Sequence, residues 1–318
     1  MSAPLTTARP RVAIITPVYN EGENLARYVE RVSTVLLASR EVDFHVLFVD
    51  DGSGDGSWEE IAAICRANPR FAALRLSRNY GSHIALSAGF AAVDADAVAT
   101  LACDLQDPPE TILEFVRAWQ GGAKIVWGHR RSRQDGNRRS IASALFQRLL
   151  ARFAMPQGSK FTTGSFLLVD RLVVRCFNQF QEHHRITFAI VAWTGFEQVN
   201  VEYDRGPRTL GRSKWSYRQM FKTMYDAFIG FSVLPIRIMT VSGLTVFLAA
   251  LGLMAYLLVA WLVGHPAPGW TSQMMVLAFF FGLQFLLMGI TGEYLYRIYA
   301  EVVRRPLYFV SESLNVER

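Results

Sequence analysis

Apolar positions in the N-terminal part of the chain follow two alternating rhythms. Short, nearly unbroken apolar runs occupy Arg11–Pro17, Phe44–Asp50, Ala72–Ser77, Ala97–Cys103 and Lys124–Gly128. Between them, Asn24–Leu37, Trp58–Arg66 and Ile84–Val93 repeat apolar residues at helical spacing. Runs that stay apolar on both faces, separated by amphipathic helices, predict a mostly parallel α/β sheet with helices on both faces. In such sheets ligands bind beyond the carboxyl ends of the strands.

The pattern then changes. Tyr217, Met220, Phe221, Met224, Tyr225, Phe228 and Phe231 recur at helical spacing, with Arg218 and Lys222 on a cationic face. This predicts an interfacial amphipathic helix over 214–235. From Ile238 to Gly264 there is no charged residue, and from Pro266 to Gly292 again none. Each stretch exceeds the roughly 20 residues that cross a bilayer core. Two transmembrane helices are therefore expected within 236–299, at about 238–264 and 271–292. The first begins too far along the chain to be a signal peptide. Arg237 precedes the pair and Arg297, Arg304 and Arg305 follow it, whereas the turn His265–Gly269 holds no Lys or Arg. The positive-inside rule puts both ends in the cytoplasm, as a hairpin in the inner membrane with a cytoplasmic tail at 300–318.

Composition adds little to that outline. The chain of 318 residues is 51% hydrophobic and 19% charged, as the two long apolar stretches require, and its net charge of +6 suits anionic lipid or phosphate. Cys65, Cys103 and Cys176 have no metal-type spacing and fit a reducing compartment.

The chemistry gathers at strand ends. The first candidate strand ends in Thr16-Pro17-Val18-Tyr19-Asn20-Glu21, the second in Asp50-Asp51-Gly52-Ser53, the fourth in Cys103-Asp104-Leu105-Gln106-Asp107-Pro108-Pro109-Glu110. Acids at adjacent strand ends repel unless they bind something cationic or rich in donors. A nucleoside diphosphate bridged by a divalent metal is both, and the oxygens of Asp104 and Gln106 suit Mg²⁺ or Mn²⁺. Asp55 or Ser57 reads more simply as the cap of the helix at Trp58. Gly52 and Gly54 fall short of a dinucleotide fingerprint because Ser57 takes the third place. No Walker-type phosphate loop is present.

Pro17-x-x-Asn20-Glu21, Asp50-Asp51-Gly52-Ser53 and Asp104-Leu105-Gln106-x-Pro108-Pro109-Glu110 resemble the inverting glycosyltransferases of the GT-A fold, a Rossmann-like sheet. With Arg78-Asn79-Tyr80-Gly81, Gly211-x-Ser213-Lys214, Gly292-Glu293-Tyr294 and Arg305-Pro306-x-Tyr308, the chain is similar to the polyprenyl-phosphate glycosyltransferases along nearly its whole length. That group includes bactoprenol glucosyltransferases, dolichyl-phosphate mannose synthases and undecaprenyl-phosphate aminoarabinose transferases. The resemblance implies a cytoplasmic GT-A domain over 1–213. Pro17, Tyr19, Glu21 and Asp50 would hold base and ribose, and Asp51, Cys103, Ser165 and Arg212 would extend the donor side. Asp104 and Gln106 would meet diphosphate and metal. Arg130, with Arg138 or Arg139, would meet the lipid phosphate, and Lys214 would approach the donor diphosphate. Asp104, Arg130 and Lys214 are the catalytic candidates.

The implied reaction moves a sugar from a nucleotide-sugar, UDP-glucose first among candidates, to undecaprenyl phosphate with inversion. The bilayer is the further partner, homo-oligomers are implied, and nucleic acid is not. Two positions depart from the group. Ala102 stands where many members carry the first acid of Asp-x-Asp-x-Gln, and Ser165 stands where members often carry Asp after Gly164. A phosphate monoester is mostly a dianion at neutral pH, its second pKa lying near ~6, so the acceptor needs no general base. Ser165 leans the sugar slightly away from mannose; the alternatives are an aminoarabinose-type and a GDP-mannose-dependent transferase. A processive polysaccharide synthase would carry a Gln-x-x-Arg-Trp element, absent here. A non-enzymatic partner subunit that kept the fold is the alternative of another class.

Overall fold

The computed structural model describes residues 9–131, 166–182, 185–206, 234–263 and 269–316. The chain divides into two compact units, Met1–Ala227 with Pro306–Arg318, and Phe228–Arg305.

In the first unit the strand and helix rhythm holds through β1 (Arg11–Val18), α1 (Gly22–Val32), β2 (Asp43–Asp50), α2 (Ser57–Ala67), β3 (Phe71–Leu76), α3 (Ser82–Ala92), β4 (Ala97–Thr100), α4 (Glu110–Gln120) and β5 (Ile125–Arg130). There follow β6 (Leu167–Asp170), α5 (Arg171–Gln179), α6 (Thr187–Trp193), β7 (Gln198–Tyr203) and, far along the chain, β8 (Val310–Leu314). The strands form one sheet in the order β7-β5-β6-β4-β1-β2-β3-β8. The pairs β1–β2, β1–β4, β2–β3 and β5–β7 are parallel, while β6 runs antiparallel to β4 and β5, and β8 antiparallel to β3. The expected GT-A-like, mostly parallel α/β sheet is present.

Its two faces are covered differently. Val12 and Ile14 of β1 and Phe44, Val46 and Phe48 of β2 join Leu25 and Tyr28 of α1, Trp58 and Ile61 of α2 and Ile112 and Phe115 of α4 in one core. Fully burying a side chain such as Phe44 contributes about 1.5–3 kcal/mol. On the other face α3 lies so close to β1 that a Cβ at Gly89 would sit 2.5 Å from Ile15 Cγ2. Because β1 pairs with β2 on one side and β4 on the other, the order of connection reverses at β1. A crevice for ligand opens at such a point, beyond the carboxyl ends of β1 and β4.

Two expectations change. The fourth strand ends at Thr100 rather than Cys103, since the chain turns away through Leu105 at φ 51°. The segment 300–318, expected as a cytoplasmic C-terminal tail, contains β8, an edge strand of the sheet. Val310–Ser313 are exposed and Leu314 only half-buried, so the segment has no buried apolar face to reveal it.

The second unit contains α7 (Leu234–Leu262) and α8 (Trp270–Val303), of 29 and 34 residues. Leu244, Leu248, Val259, Phe279, Phe281 and Phe285 are exposed. Thr245 and Thr291 return their hydroxyls to the carbonyls of Val241 and Leu287 at 2.8 and 2.9 Å, so neither donor is left open. Glu293 and Arg297 form an ion pair within α8 at 3.0 Å. Several side chains of both helices lie outside the described residues, and among the described ones no helix is long and apolar enough to cross a membrane. The interfacial helix expected over 214–235 falls almost wholly outside them.

Candidate active site

The loops after β1 and β2 are laced together. Asn20, at φ 52°, donates its backbone N–H to Ser53 Oγ at 2.9 Å, and its side-chain oxygen accepts from Gly54 N at 2.9 Å. Glu21 N donates to Ser57 Oγ at 3.1 Å, and Gly22 N donates to Asp55 Oδ2 at 3.4 Å. The N-cap of α2 is Gly56 rather than Asp55 or Ser57; Asp55, which also accepts from Ser57 N at 3.0 Å, ties the start of α2 to the start of α1. This lacing fixes Pro17, half-buried, and presents Tyr19, 39% exposed, as an aromatic face at the rim. The Glu21 carboxylate accepts from Asn24 Nδ2 at 2.6 Å.

Neighbouring Asp50 and Asp51 are both buried. Asp51 accepts the backbone N–H groups of Tyr80 and Gly81 at 2.7 and 2.8 Å, which clamps the Arg78-Asn79-Tyr80-Gly81 loop against β2. Its oxygens serve this loop, so its part on the donor side is indirect. Gly52, at φ +70°, is needed beneath the clamp, since a Cβ there would lie 2.5 Å from the carbonyl carbon of Arg78. Asp50 Oδ1 accepts from Ser53 N at 3.2 Å. Its Oδ2 has no hydrogen-bond partner in the structure, and Arg75 Nε stands 3.5 Å away. Burial pushes both carboxyls above the ordinary range, opposed at Asp50 by Ser53 and Arg75 and at Asp51 by the two N–H groups. A buried carboxylate oxygen without a donor is costly, and a ligand N–H or O–H would satisfy it.

After β4, the left-handed turn at Leu105 aims Asp104 and Gln106 out of the core, with Asp104 Oδ1 accepting from Gln106 N at 3.2 Å. Cys103 points the other way. Its side chain is 3% exposed within the hydrophobic core. Burial, with Glu21, Asp104 and Glu60 nearby, pushes that thiol up. Among the described residues no group of three or more His, Cys, Asp or Glu forms a metal cage. Asp104 and Gln106 nevertheless fit Mg²⁺ or Mn²⁺ of the kind that takes one or two protein ligands and completes its shell with phosphate and water.

Sequence reasoning missed a network beside this loop. Tyr203 OH donates to Asp107 at 2.6 Å, Arg130 Nε donates to Tyr203 OH at 3.3 Å, and Arg205 pairs with Asp107 at 3.2 Å. Gly206 N donates to Gln106 O at 2.9 Å. Arg130 at the end of β5 is thereby fixed beside the Asp104–Gln106 loop, and Gly206 is pinned to Gln106. The signal was the alternation Val199, Val201, Tyr203, which marks β7 and places Tyr203 inward. Burial beside Asp107 pushes the Tyr203 phenol up, so it stays a donor. Arg138, Arg139, Ser165, Arg212 and Lys214 lie outside the described residues.

His83 packs against α6. Thr187 N donates to its Nδ1 at 3.3 Å, and its ring meets Phe188 edge-on. Burial lowers its pKa to about 4, so it is neutral near pH 7.

Comparisons with known proteins agree with this geometry. Residues 13–177 match the family described as glycosyl transferase family 2. An undecaprenyl-phosphate 4-deoxy-4-formamido-L-arabinose transferase of Proteus mirabilis is 33% identical over 97% of this chain and 95% of its own. A prophage-derived bactoprenol glucosyl transferase of Shigella flexneri is 31% identical over 95% of this chain and 98% of its own. Among solved structures, a mannosyltransferase of Pyrobaculum calidifontis, in complex with GDP-mannose and Mn²⁺, superposes with a TM-score of 0.50 at 16% identity, over 70% of this chain and 64% of that one. That last likeness is one of fold. The strand-end acids, the clamped loops and these whole-length relatives together place the chain in glycosyl transferase family 2, as an enzyme that transfers sugars.

Proposed function

We propose that the protein transfers a sugar from a nucleotide-sugar to undecaprenyl or another polyprenyl phosphate, with inversion, at the inner face of the cytoplasmic membrane. The observation that carries this reading is the placement of three parts beyond the carboxyl ends of parallel strands of one sheet: the open Oδ2 of buried Asp50 at β2, the Asp104–Gln106 turn after β4, and Arg130 at the end of β5, held through Tyr203 and Asp107. Asp50 suits a donor N–H or hydroxyl of the nucleotide, and the rim aromatic Tyr19 suits its base. Arg130 presents a planar fork that matches a phosphate monoester. Both whole-length relatives named above act on polyprenyl carriers by their names, which supports the acceptor class.

In the proposed step an oxygen of the lipid phosphate attacks the anomeric carbon as the bond to the nucleoside diphosphate breaks on the opposite face. The dianionic acceptor brings no proton to remove, so Ser165 in place of an acid is no obstacle. Catalysis then rests on alignment by Arg130 and on charge stabilisation of the departing diphosphate by Lys214. A divalent ion held by Asp104 and Gln106 would add positive charge at that diphosphate, and the Mn²⁺ of the Pyrobaculum enzyme is consistent with one.

The same proposal sets α7 and α8 as a hairpin across the bilayer. Helices of 29 and 34 residues are about 43 and 51 Å long, more than a core of roughly 30 Å requires. Their uncharged stretches and basic flanks put both termini on the cytoplasmic side. Association into a homo-oligomer completes the reading.

UDP-glucose is the first donor to test. The Proteus relative and Ser165 favour a UDP-linked aminoarabinose derivative as the second. The test is transfer from a panel of radiolabelled UDP- and GDP-sugars to undecaprenyl phosphate, with purified protein and Mg²⁺ or Mn²⁺. A lipid-extractable product from one donor names the sugar. No product from any, beside an active control enzyme, would favour a partner subunit that has lost catalysis.

A further inference from the structure

The strand contributed by the far end of the chain reaches the nucleotide site. In the pairing of β2 with β3, Asp50 is directly opposite Arg75, and in the pairing of β3 with β8, Arg75 is directly opposite Glu312. Directly opposed residues on neighbouring strands share one face of a sheet. The three side chains therefore form a row of alternating charge that starts at the donor site and ends on β8.

The contacts within the row are unequal. Arg75 Nη1 donates to Glu312 Oε1 at 2.9 Å, while Arg75 Nε stays 3.5 Å from Asp50 Oδ2. Trp58 holds the outer end: its Nε1 donates to Glu312 Oε2 at 3.2 Å, and the Arg75 guanidinium lies 5.4 Å from its ring centroid. Glu312 thus draws the guanidinium outward, near enough to Asp50 to lend it charge and too far to occupy its Oδ2.

We propose that Glu312 is a positioning residue for nucleotide binding, acting through Arg75 to keep the inner oxygen of Asp50 charged and open. Asn315 anchors the same tail, donating its side-chain amide to the carbonyls of Cys65 and Phe71 at 2.7 and 2.9 Å. Docking of β8 and binding of the nucleotide are then coupled, and the coupling is reciprocal. This inference rests on the proposed role of Asp50 as a donor contact.

The test uses the full-length protein in detergent with UDP or GDP plus Mn²⁺ as probe. Hydrogen exchange of the 310–314 amides in the wild type should slow when nucleotide is bound. By calorimetry, Glu312→Gln should weaken nucleotide binding about three- to fivefold, the range open to a partly exposed ion pair. Arg75→Met should weaken it as well, and Glu312→Gln added to Arg75→Met should change nothing further. A merely structural tail would instead give additive losses. Additive losses, unchanged affinity in either single variant, or exchange at β8 indifferent to nucleotide would each overturn the coupling while the donor site stands. A wild type that binds neither nucleotide would overturn the donor site itself, and the coupling with it.

Discussion

Asp50 and Asp51 are neighbours with opposite duties: Asp51 gives both carboxylate oxygens to the N–H groups of Tyr80 and Gly81, whereas Asp50 keeps Oδ2 open. Their amide variants should therefore differ. Asp51→Asn sets an NH₂ group against a backbone N–H and is expected to lose about 2 kcal/mol of stability. Asp50→Asn should fold as well as the wild type or better. Burial raises the Asp50 pKa, so its ionisation opposes folding, and that stability is lost as pH rises through the folded pKa. Thermal unfolding at neutral pH distinguishes the two, and nucleotide titration should show the Asp50 variant at least about tenfold weaker.

Asp104→Ala removes the carboxylate assigned to the metal and diphosphate. Transfer is expected to fall at least about 100-fold, the scale of losing one stabiliser of developing charge. Nucleotide affinity should fall in Mn²⁺, and wild type and variant should match in excess chelator. A variant that keeps its Mn²⁺ dependence would remove Asp104 from the metal site.

Tyr203→Phe deletes the hydroxyl between Asp107 and Arg130. About 1–2 kcal/mol of stability should go with it, because Asp107 is buried and keeps only the Arg205 contact of the two. With Arg130 loosened, acceptor KM should rise while nucleotide affinity holds. Steady-state kinetics with varied lipid phosphate checks this; a rise in donor KM alone would contradict the placement of Arg130.

His83 is neutral by burial, with a pKa of about 4. A depressed folded pKa gives stability that is present above the unfolded value, near ~6.5, and lost as pH falls towards the folded one. The wild type should lose roughly 2 kcal/mol between those limits on this account, and His83→Gln should not. Unfolding midpoints measured at several pH values between them give the comparison.

The strands that frame the site were legible because β1 and β2 are apolar on both faces and end in polar clusters. Asp104 and Gln106 were legible for a related reason: polar residues crowded after a buried strand signal a site. Tyr203 and Arg205 were not, since they meet Asp107 from a strand that follows much later in sequence. The inward direction of Cys103 was not legible, because its place beside Asp104 says nothing of direction. The left-handed backbone at Leu105 turns the chain between Asp104 and Gln106, and no residue pattern announces a leucine there. β8 was hidden for want of an apolar face, as its attachment depends on Glu312 and Asn315 finding partners on β3 and α2.

The position of β8 sets a schedule for making the enzyme. Arg75 and Glu312 are 237 residues apart, so at ordinary translation speeds tens of seconds separate their synthesis. Through that interval β3 is an uncapped edge, able to recruit any passing strand. All of the second unit is translated before its proper neighbour arrives. A newborn copy thus completes its catalytic sheet only after its two long helices have been made, so β3 gains its last neighbour near the end of synthesis.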